Sequence, residues 1–217
     1  MRFALVSDAW RPQVNGVART LAALHDGLTA AGHDVFPLTP ELFRTVPCPT
    51  DREVRLAIAA RPRLTGLLQK LMPDAIHIAT EGPLGTAARR YCLNRSLRFT
   101  TAYHTKYPEY LSARFGVPLA WTYAMLRRFH CRSSAIMVAT ETIRRELAEN
   151  GFERLALWTR GVDIALFRPG RTPPSICLGR YFSAYHASRP RKICRSSSTS
   201  ICPARNWLWA TATCCRK

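Results

Sequence analysis

The chain has 217 residues, enough to bury one substantial core or two small ones. Its residues are 47% hydrophobic and 21% charged, a globular composition that excludes wholesale disorder. No apolar run reaches the roughly 18 residues that a membrane-spanning helix needs. The segment MRFALVSD reaches Asp8 too early to hold a secretory signal, so we expect a cytoplasmic protein.

The net charge of +18 is unevenly distributed along the chain. Residues 1–163 carry 22 basic and 14 acidic side chains, a net of +8, whereas residues 164–217 carry ten basic side chains and no Asp or Glu. Five of the eight cysteines also lie after residue 176. A pI near 10.5 by itself favours a nucleic-acid or anionic-membrane binder. The asymmetry indicates instead that the two parts of the chain need separate explanations.

Strands and helices alternate along the first part of the chain. The first apolar run, RFALVSD, is followed by a polar loop and then by a helix whose apolar face recurs from Val17 to Leu28 and which ends before Gly32. Four further strands are predicted at 33–40, 74–80, 97–104 and 134–140. Four further helices are predicted at 62–71, 84–93, 119–130 and 141–150. This alternation predicts an α/β fold with a doubly wound parallel sheet covered by helices on both faces.

Ligands of such sheets bind beyond the carboxyl ends of the strands, which points to the loops 8–17, 80–85, 104–110 and 139–142. In the first loop, Asn15 and Gly16 lie directly before a helix. Glycine lets a backbone approach a phosphate or sugar closely, and the helix N-terminus offers free N–H donors. A tight strand-to-helix turn explains the same two residues equally well, and no complete nucleotide-binding motif is present.

The other loops carry titratable side chains. Glu81 follows the third strand, where its carboxylate would accept a hydrogen bond from a sugar hydroxyl or cap the next helix. His104 and Lys106 follow the fourth strand, where a histidine is either structural or part of a binding site. Glu141 repeats the pattern of a carboxylate at the end of a strand.

Five segments in order resemble the N-terminal half of the family 4 glycosyltransferases of the GT-B fold, over about residues 1–170. They are SDAWRPQVNGVARTL, HIATEGPLGTAARRYC, FTTAYHTKYPEYL, MVATE and RGVDIALFRPG. They are most similar to the bacterial α-mannosyltransferase and sulfoquinovosyl-diacylglycerol synthase type. The resemblance implies a Rossmann-like, acceptor-side domain that is one half of a two-domain enzyme.

The resemblance also implies a chemistry: transfer of a hexosyl group, with retention, from a GDP- or UDP-sugar to a sugar or lipid acceptor. No metal and no cofactor other than the donor is expected. The implied catalytic residue is His104, in contact with the transferred sugar. Residues expected to bind substrate are Asp8, Asn15, Gly16, Glu81, Lys106, Glu141, Arg160 and Asp163.

A non-catalytic alternative is a basic α/β module that binds an anionic membrane or nucleic acid. The predicted helix 119–130 and the residues after it carry Trp121, Arg127, Arg128 and Arg132, a pattern suited to peripheral contact with the inner face of a membrane or to a solvated basic surface. For the glycosyltransferase, a peripheral membrane location is expected and nucleic-acid binding is not.

Residues 171–217 do not continue the resemblance, since the family's phosphate-binding GR…EK segment is missing. The cysteines contain no CxxC pair, so their spacing does not match ordinary zinc sites. A basic nucleic-acid tail is compatible with the composition. A shifted reading frame is also compatible, because the codons of Ser197 to Ala212, read one base upstream, permit FLDLDLPGTKLVVGDG, which resembles the missing domain. We therefore predict a poorly structured, out-of-frame tail and impaired turnover.

Overall fold

The computed structural model describes residues 1–48 and 51–161. A six-stranded parallel sheet runs in the order β2-β1-β5-β6-β7-β8. Its strands, in chain order, are β1 (Arg2–Val6), β2 (Asp34–Leu38), β5 (Ala75–Ile78), β6 (Thr100–Tyr103), β7 (Ile136–Val138) and β8 (Leu155–Leu157). The predicted α/β class and parallel sheet are confirmed.

Six helices connect these strands and cover the sheet. They are α1 (Gly16–Ala30), α2 (Ala60–Leu71), α3 (Pro83–Asn94), α4 (Tyr107–Phe115), α5 (Leu119–His130) and α6 (Glu141–Glu149). A short antiparallel hairpin, β3 (Thr45–Cys48) with β4 (Asp51–Ala57), precedes α2. The hairpin, α4 and β8 were not among the predicted elements; β8 has only three residues, and α4 and the hairpin lie outside the regular alternation of strand and helix.

Alternate residues of β1 divide the core between the two faces of the sheet. Ala4 and Val6 are fully buried on the side of α2 and α3, whereas Leu5 is buried against Leu21 of α1. A third cluster joins β6 and β7 to α5 and α6 through Tyr103, Ile136, Val138, Tyr123, Leu126 and Leu147. Burial on both faces explains why these strands are almost continuously apolar.

The chain reverses direction across the sheet at β1, and this reversal locates the ligand crevice. β1 pairs with β2 on one side and with β5 on the other, so the chain moves from β1 to one neighbour and then returns past β1 to the opposite side. The carboxyl ends of β1, β5 and β6 therefore border a gap between diverging loops, where doubly wound sheets bind their ligands.

Some of the predictions lie outside the described residues. These are the substrate-binding role of Asp163, the domain boundary at residue 170 and the unstructured tail 171–217. Among the helices of the described ranges, none is both long and apolar enough to cross a membrane.

Candidate functional site

A cleft of about 590 Å³ opens where β1, β5 and β6 end. Six of the predicted site residues line it: Asp8, Asn15, Gly16, Glu81, His104 and Arg160. They come from the three loops that follow β1, β5 and β6 and from the segment after β8. The tertiary structure therefore gathers into one site most of the residues that the sequence pattern pointed to.

Asp8 lies in the cleft wall, and its carboxylate is used within the fold. Oδ1 accepts a hydrogen bond from the N–H of Leu84 at 2.9 Å, and Oδ2 accepts one from the Thr80 hydroxyl at 2.8 Å. Asp8 thus caps the N-terminus of α3. Burial raises the pKa of this carboxyl, while the hydrogen bonds from Leu84 and Thr80 oppose the shift.

Gly82 makes room for that cap. A Cβ on Gly82 would lie 2.4 Å from Oδ2 of Asp8, far inside contact distance. The predicted alternative for Glu81, capping the helix that follows, is therefore wrong, because Asp8 occupies that position. In the EGP segment, the Glu81 carboxylate therefore does not cap the helix, and the following Gly82 leaves room for the Asp8 side chain.

Asn15 and Gly16 form the start of α1. The Asn15 side chain accepts a hydrogen bond from the N–H of Ala18 at 2.8 Å, which makes Asn15 the N-cap. Gly16 is exposed, its φ is not positive, and a Cβ there would meet nothing within 4 Å in the described part of the chain. The described fold therefore does not itself require glycine at position 16, and the position borders the open cleft.

His104 and Arg160, which both line the cleft, are in contact with each other. A guanidinium nitrogen of Arg160 lies 2.9 Å from Nδ1 of His104, so Nδ1 accepts and the ring proton resides on Nε2. Burial lowers the pKa of His104 to about 3, helped by Arg160 and His77. The imidazole is therefore neutral at physiological pH and acts as a hydrogen-bonding group rather than as a proton donor of ordinary acidity.

Glu81 extends toward α5. Its Oε1 lies 3.3 Å from Nε2 of His130, a side chain that is fully buried. The carboxylate side chain itself is 11% exposed and lines the cleft. Glu81 is thus held between the protein interior and the ligand space.

Lys106 and Glu141 are placed outside the cleft lining. Lys106 forms an ion pair with Glu146 of α6, and Glu141 pairs with Arg144 and Arg145 one turn along its own helix. Both are half exposed; Glu146 also accepts a hydrogen bond from the buried Tyr123 hydroxyl, whereas Arg144 and Arg145 are exposed. Lys106 and Glu141 were predicted to bind substrate, but in the structure they form local ion pairs and do not line the cleft.

Sequence reasoning missed several lining residues, notably Tyr107 and Tyr110 of α4 and Val54 and Leu56 of β4. The tyrosines lie three positions apart and so share a helix face, and the two apolar residues alternate along a strand. Burial raises the pKa of Tyr107 to about 12, with Glu81 and Asp8 adding to the shift. The signal was present in the spacing, but placing α4 and the hairpin over the cleft required tertiary information.

Among the described residues, no group of three or more His, Cys, Asp or Glu side chains is arranged to hold a metal ion. The expectation of metal-independent chemistry stays a prediction.

The fold is a Rossmann-like α/β domain whose cleft lies at the switch point of a parallel sheet, where such sheets bind their ligands. Residues 14–166 match the family model described as Glycosyltransferase Family 4. Because the match covers more than half of the chain, the protein belongs to glycosyltransferase family 4. The resemblance inferred from the five sequence segments is confirmed.

Individual relatives agree with this assignment. A GDP-mannose-dependent alpha-mannosyltransferase of Mycolicibacterium smegmatis is 27% identical over 189 residues, covering 78% of this chain and 50% of that protein. The sulfoquinovosyl transferase SQD2 of Arabidopsis thaliana is 28% identical, covering 58% of this chain and 26% of that protein. An alpha-monoglucosyldiacylglycerol synthase of Acholeplasma laidlawii is 26% identical, covering 51% and 31%. The chain spans about half the length of the mannosyltransferases it matches.

Proposed function

We propose that this chain contributes the acceptor-side domain of a hexosyltransferase that moves a sugar, with retention, from a GDP- or UDP-sugar to a sugar or lipid acceptor. Family membership supports the reaction class, the name of the mannosyltransferase relative supports a GDP-sugar donor, and the name of the glucosyldiacylglycerol synthase supports a lipid acceptor. The observation that carries the proposal is the contact between Arg160 and His104, which line the same cleft as Gly16.

These three residues suit an anionic leaving group. Arg160 supplies a permanent positive charge, and the N-terminus of α1 at Gly16 supplies unpaired N–H groups in a position without a side chain. As the bond between the sugar and the diphosphate breaks, negative charge builds up on the diphosphate. Hydrogen-bond donors that the fold holds in position before the reaction stabilise that charge most effectively. The neutral His104 is therefore not required to donate a proton.

The acidic side of the cleft suits the sugar. Glu81 lines the cleft and can accept hydrogen bonds from hydroxyl groups, while Asp8 is occupied by α3. Tyr107 and Tyr110 add aromatic surface beside these carboxylates. Positioning the acceptor against the donor accounts for much of the barrier reduction in such a two-substrate reaction.

A lipid acceptor requires contact with a membrane, and α4 and α5 offer a surface for it. We define the α4–α5 surface by the exposed residues Arg114, Phe115, Leu119, Trp121, Met125, Arg128 and Arg132. Trp121 is 74% exposed, and residues 110–140 contain four arginines and no acidic side chain. Tyr123 and Phe129 of the same helix are buried or partly buried in the core, so the aromatic side chain that α5 exposes is Trp121. Exposed apolar groups beside unopposed arginines suit anionic headgroups.

We also propose that turnover is weak in this chain, because residues 171–217 lack the family's phosphate-binding segment. The test is a transfer assay with GDP-mannose and UDP-glucose on this chain and on a chain whose reading frame after Thr172 is restored. Equal rates in the two would contradict impaired turnover. Transfer by neither, together with salt-sensitive DNA binding that persists after deletion of 171–217, would favour the non-catalytic alternative.

A further inference from the structure

A buried chain of three polar side chains leads from the centre of the sheet to the cleft. The Thr101 hydroxyl of β6 lies 2.9 Å from Nδ1 of His130 on α5, and Nε2 of His130 lies 3.3 Å from Oε1 of Glu81. Thr101 and His130 are almost completely inaccessible to solvent. The sequence analysis did not single out either residue.

Two aromatic rings fix the imidazole of His130. The ring centroid of Phe129 is 5.0 Å away and that of Phe152 is 6.1 Å away. With rings against it and Thr101 at Nδ1, the imidazole has little freedom to rotate. Nε2 therefore keeps facing the cleft wall, where Glu81 sits.

The contact between His130 and Glu81 is close but not well aligned. Nε2 and Oε1 are both buried, and neither has an aligned hydrogen-bond partner among the residues that the structure describes. Buried polar atoms are normally satisfied, and contacts in unliganded sites often tighten when the ligand binds.

We propose that His130 is a positioning residue for Glu81: set by Thr101, it donates Nε2–H to Oε1, so that the carboxylate is held ready to accept a hydrogen bond from a sugar hydroxyl. This inference rests on the proposed function, because it assigns the sugar-hydroxyl contact to Glu81. The Nε2 proton is present in the neutral ring when the Thr101 hydroxyl donates to Nδ1, and it is present in the imidazolium as well.

The position of Glu81 argues against a purely structural role for this chain of contacts. The N-terminus of α3, which Glu81 would otherwise cap, is already capped by Asp8. Anchoring α5 to the sheet needs only the contact between His130 and Thr101. Extending the chain of contacts to a carboxylate that lines the cleft adds nothing to that anchoring, but it does orient Glu81.

The first test observes the ring proton directly, without requiring activity. In nitrogen-15 NMR spectra of the whole chain with labelled histidine, we expect His130 to carry its proton on Nε2 and Thr101→Val to mix the two tautomers. We also expect the Glu81 carboxyl carbon to shift in His130→Leu. A neutral His130 protonated on Nδ1 in the wild-type chain would overturn the proposal, because the Nε2 lone pair would then face the carboxylate.

The second test measures binding of methyl α-D-mannopyranoside by NMR titration. His130→Leu should weaken binding at least tenfold, the effect expected when a hydrogen bond to a charged group is lost. His130→Gln, whose amide also donates N–H, should stay within about threefold of the wild-type chain. Thr101→Val, close in shape to the native residue, should bind with an affinity between those of the two His130 variants. It replaces His130→Leu in the test if that variant does not fold.

Wild-type affinity in both His130→Leu and Thr101→Val would overturn the proposal. No binding by the wild-type chain would contradict the proposed function, and with it the sugar contact of Glu81. In that case the NMR signals would still decide whether His130 holds Glu81, so the two failures are distinguishable.

Discussion

The carboxylate of Asp8 accepts a hydrogen bond from the backbone N–H of Leu84, 76 positions later in the chain, at 2.9 Å. This bond ties the end of β1 to the start of α3 and closes the cleft on one side. It depends on two glycines that allow the backbone of the EGPLG segment to come close, Gly82 beside Asp8 and Gly85 beside Thr80.

Gly85→Ala should destabilise the domain. A Cβ at this position would lie 1.8 Å from the carbonyl oxygen of Thr80, and backbone cannot move aside cheaply, so we expect a loss of about 3 kcal/mol or a failure to fold. The measurement is urea unfolding of the whole chain. Gly66→Ala is the control, because it lies inside α2 with open space around it and should stabilise by about 0.5–1 kcal/mol. Similar unfolding energies in the two variants would contradict the close contact.

His77 should make the domain acid-sensitive. Burial lowers the pKa of this side chain to about 4 from 6.5, so between these values the unfolded chain binds more protons than the folded one. Stability is therefore fully present above pH 6.5 and falls as the pH is lowered, by roughly 3 kcal/mol at pH 4 from this group. The check compares urea unfolding of the wild-type chain and His77→Gln from pH 7 to pH 4. Parallel profiles would show that His77 is not the source.

Arg160→Ala should weaken binding of GDP about tenfold or more, since it removes the guanidinium that contacts His104 in the cleft lining. The same change should raise the pKa of His104 from about 3, although burial, the larger cause, keeps it below 6.5. Calorimetric titration with GDP and NMR titration of His104 give the two readouts. Arg145→Ala, an exposed arginine of α6, is the control and should change neither. Unchanged GDP affinity in Arg160→Ala would contradict a role in holding the diphosphate.

Trp121→Ser and Met125→Ser should each reduce the binding of the chain to phosphatidylglycerol vesicles several-fold, because both side chains are exposed on the α4–α5 surface. Arg128→Glu should reduce it tenfold or more, at about 1 kcal/mol for each charge unit near the surface. Co-sedimentation with vesicles at low and high salt measures the effect.

The control for the vesicle experiment is Met72→Ser. Met72 is 64% exposed, comparable to Met125 at 57%, but it lies at the end of α2 away from the arginines of the α4–α5 surface. Met72→Ser should leave the binding of the chain to the vesicles unchanged. Equal losses in Met72→Ser and Met125→Ser would indicate nonspecific hydrophobic adsorption rather than this surface.

Much of the fold could be predicted because the strands are buried on both faces. β1, β5 and β7 each coincide with an almost continuous apolar run in the sequence. The helices between them show an apolar face with a 3.6-residue period. The hairpin β3–β4 and strand β8 could not be predicted in the same way. β8 has only three residues, and its pairing with β7 is formed by tertiary contacts that leave little local pattern.

The candidate site was predictable in part for a related reason. The carboxyl ends of parallel strands meet at one edge of the sheet, which is how Asp8, Glu81 and His104 could be placed together from sequence. The same rule included Glu141, which follows β7, but in the structure its side chain turns along α6 to Arg144 instead of into the cleft. The rule locates a loop and does not specify the direction of a side chain.

The sequence by itself therefore determined the fold class, the family and the edge of the sheet where ligands bind, because apolar periodicity and motif order are local properties of the chain. Only the tertiary structure decided what each polar group does there. It assigned Asp8 to the helix cap, paired Arg160 with His104 and placed His130 behind Glu81. Hydrogen bonds and other close polar contacts depend on distances of about 3 Å between residues far apart in the chain, and spacing along a sequence does not contain those distances.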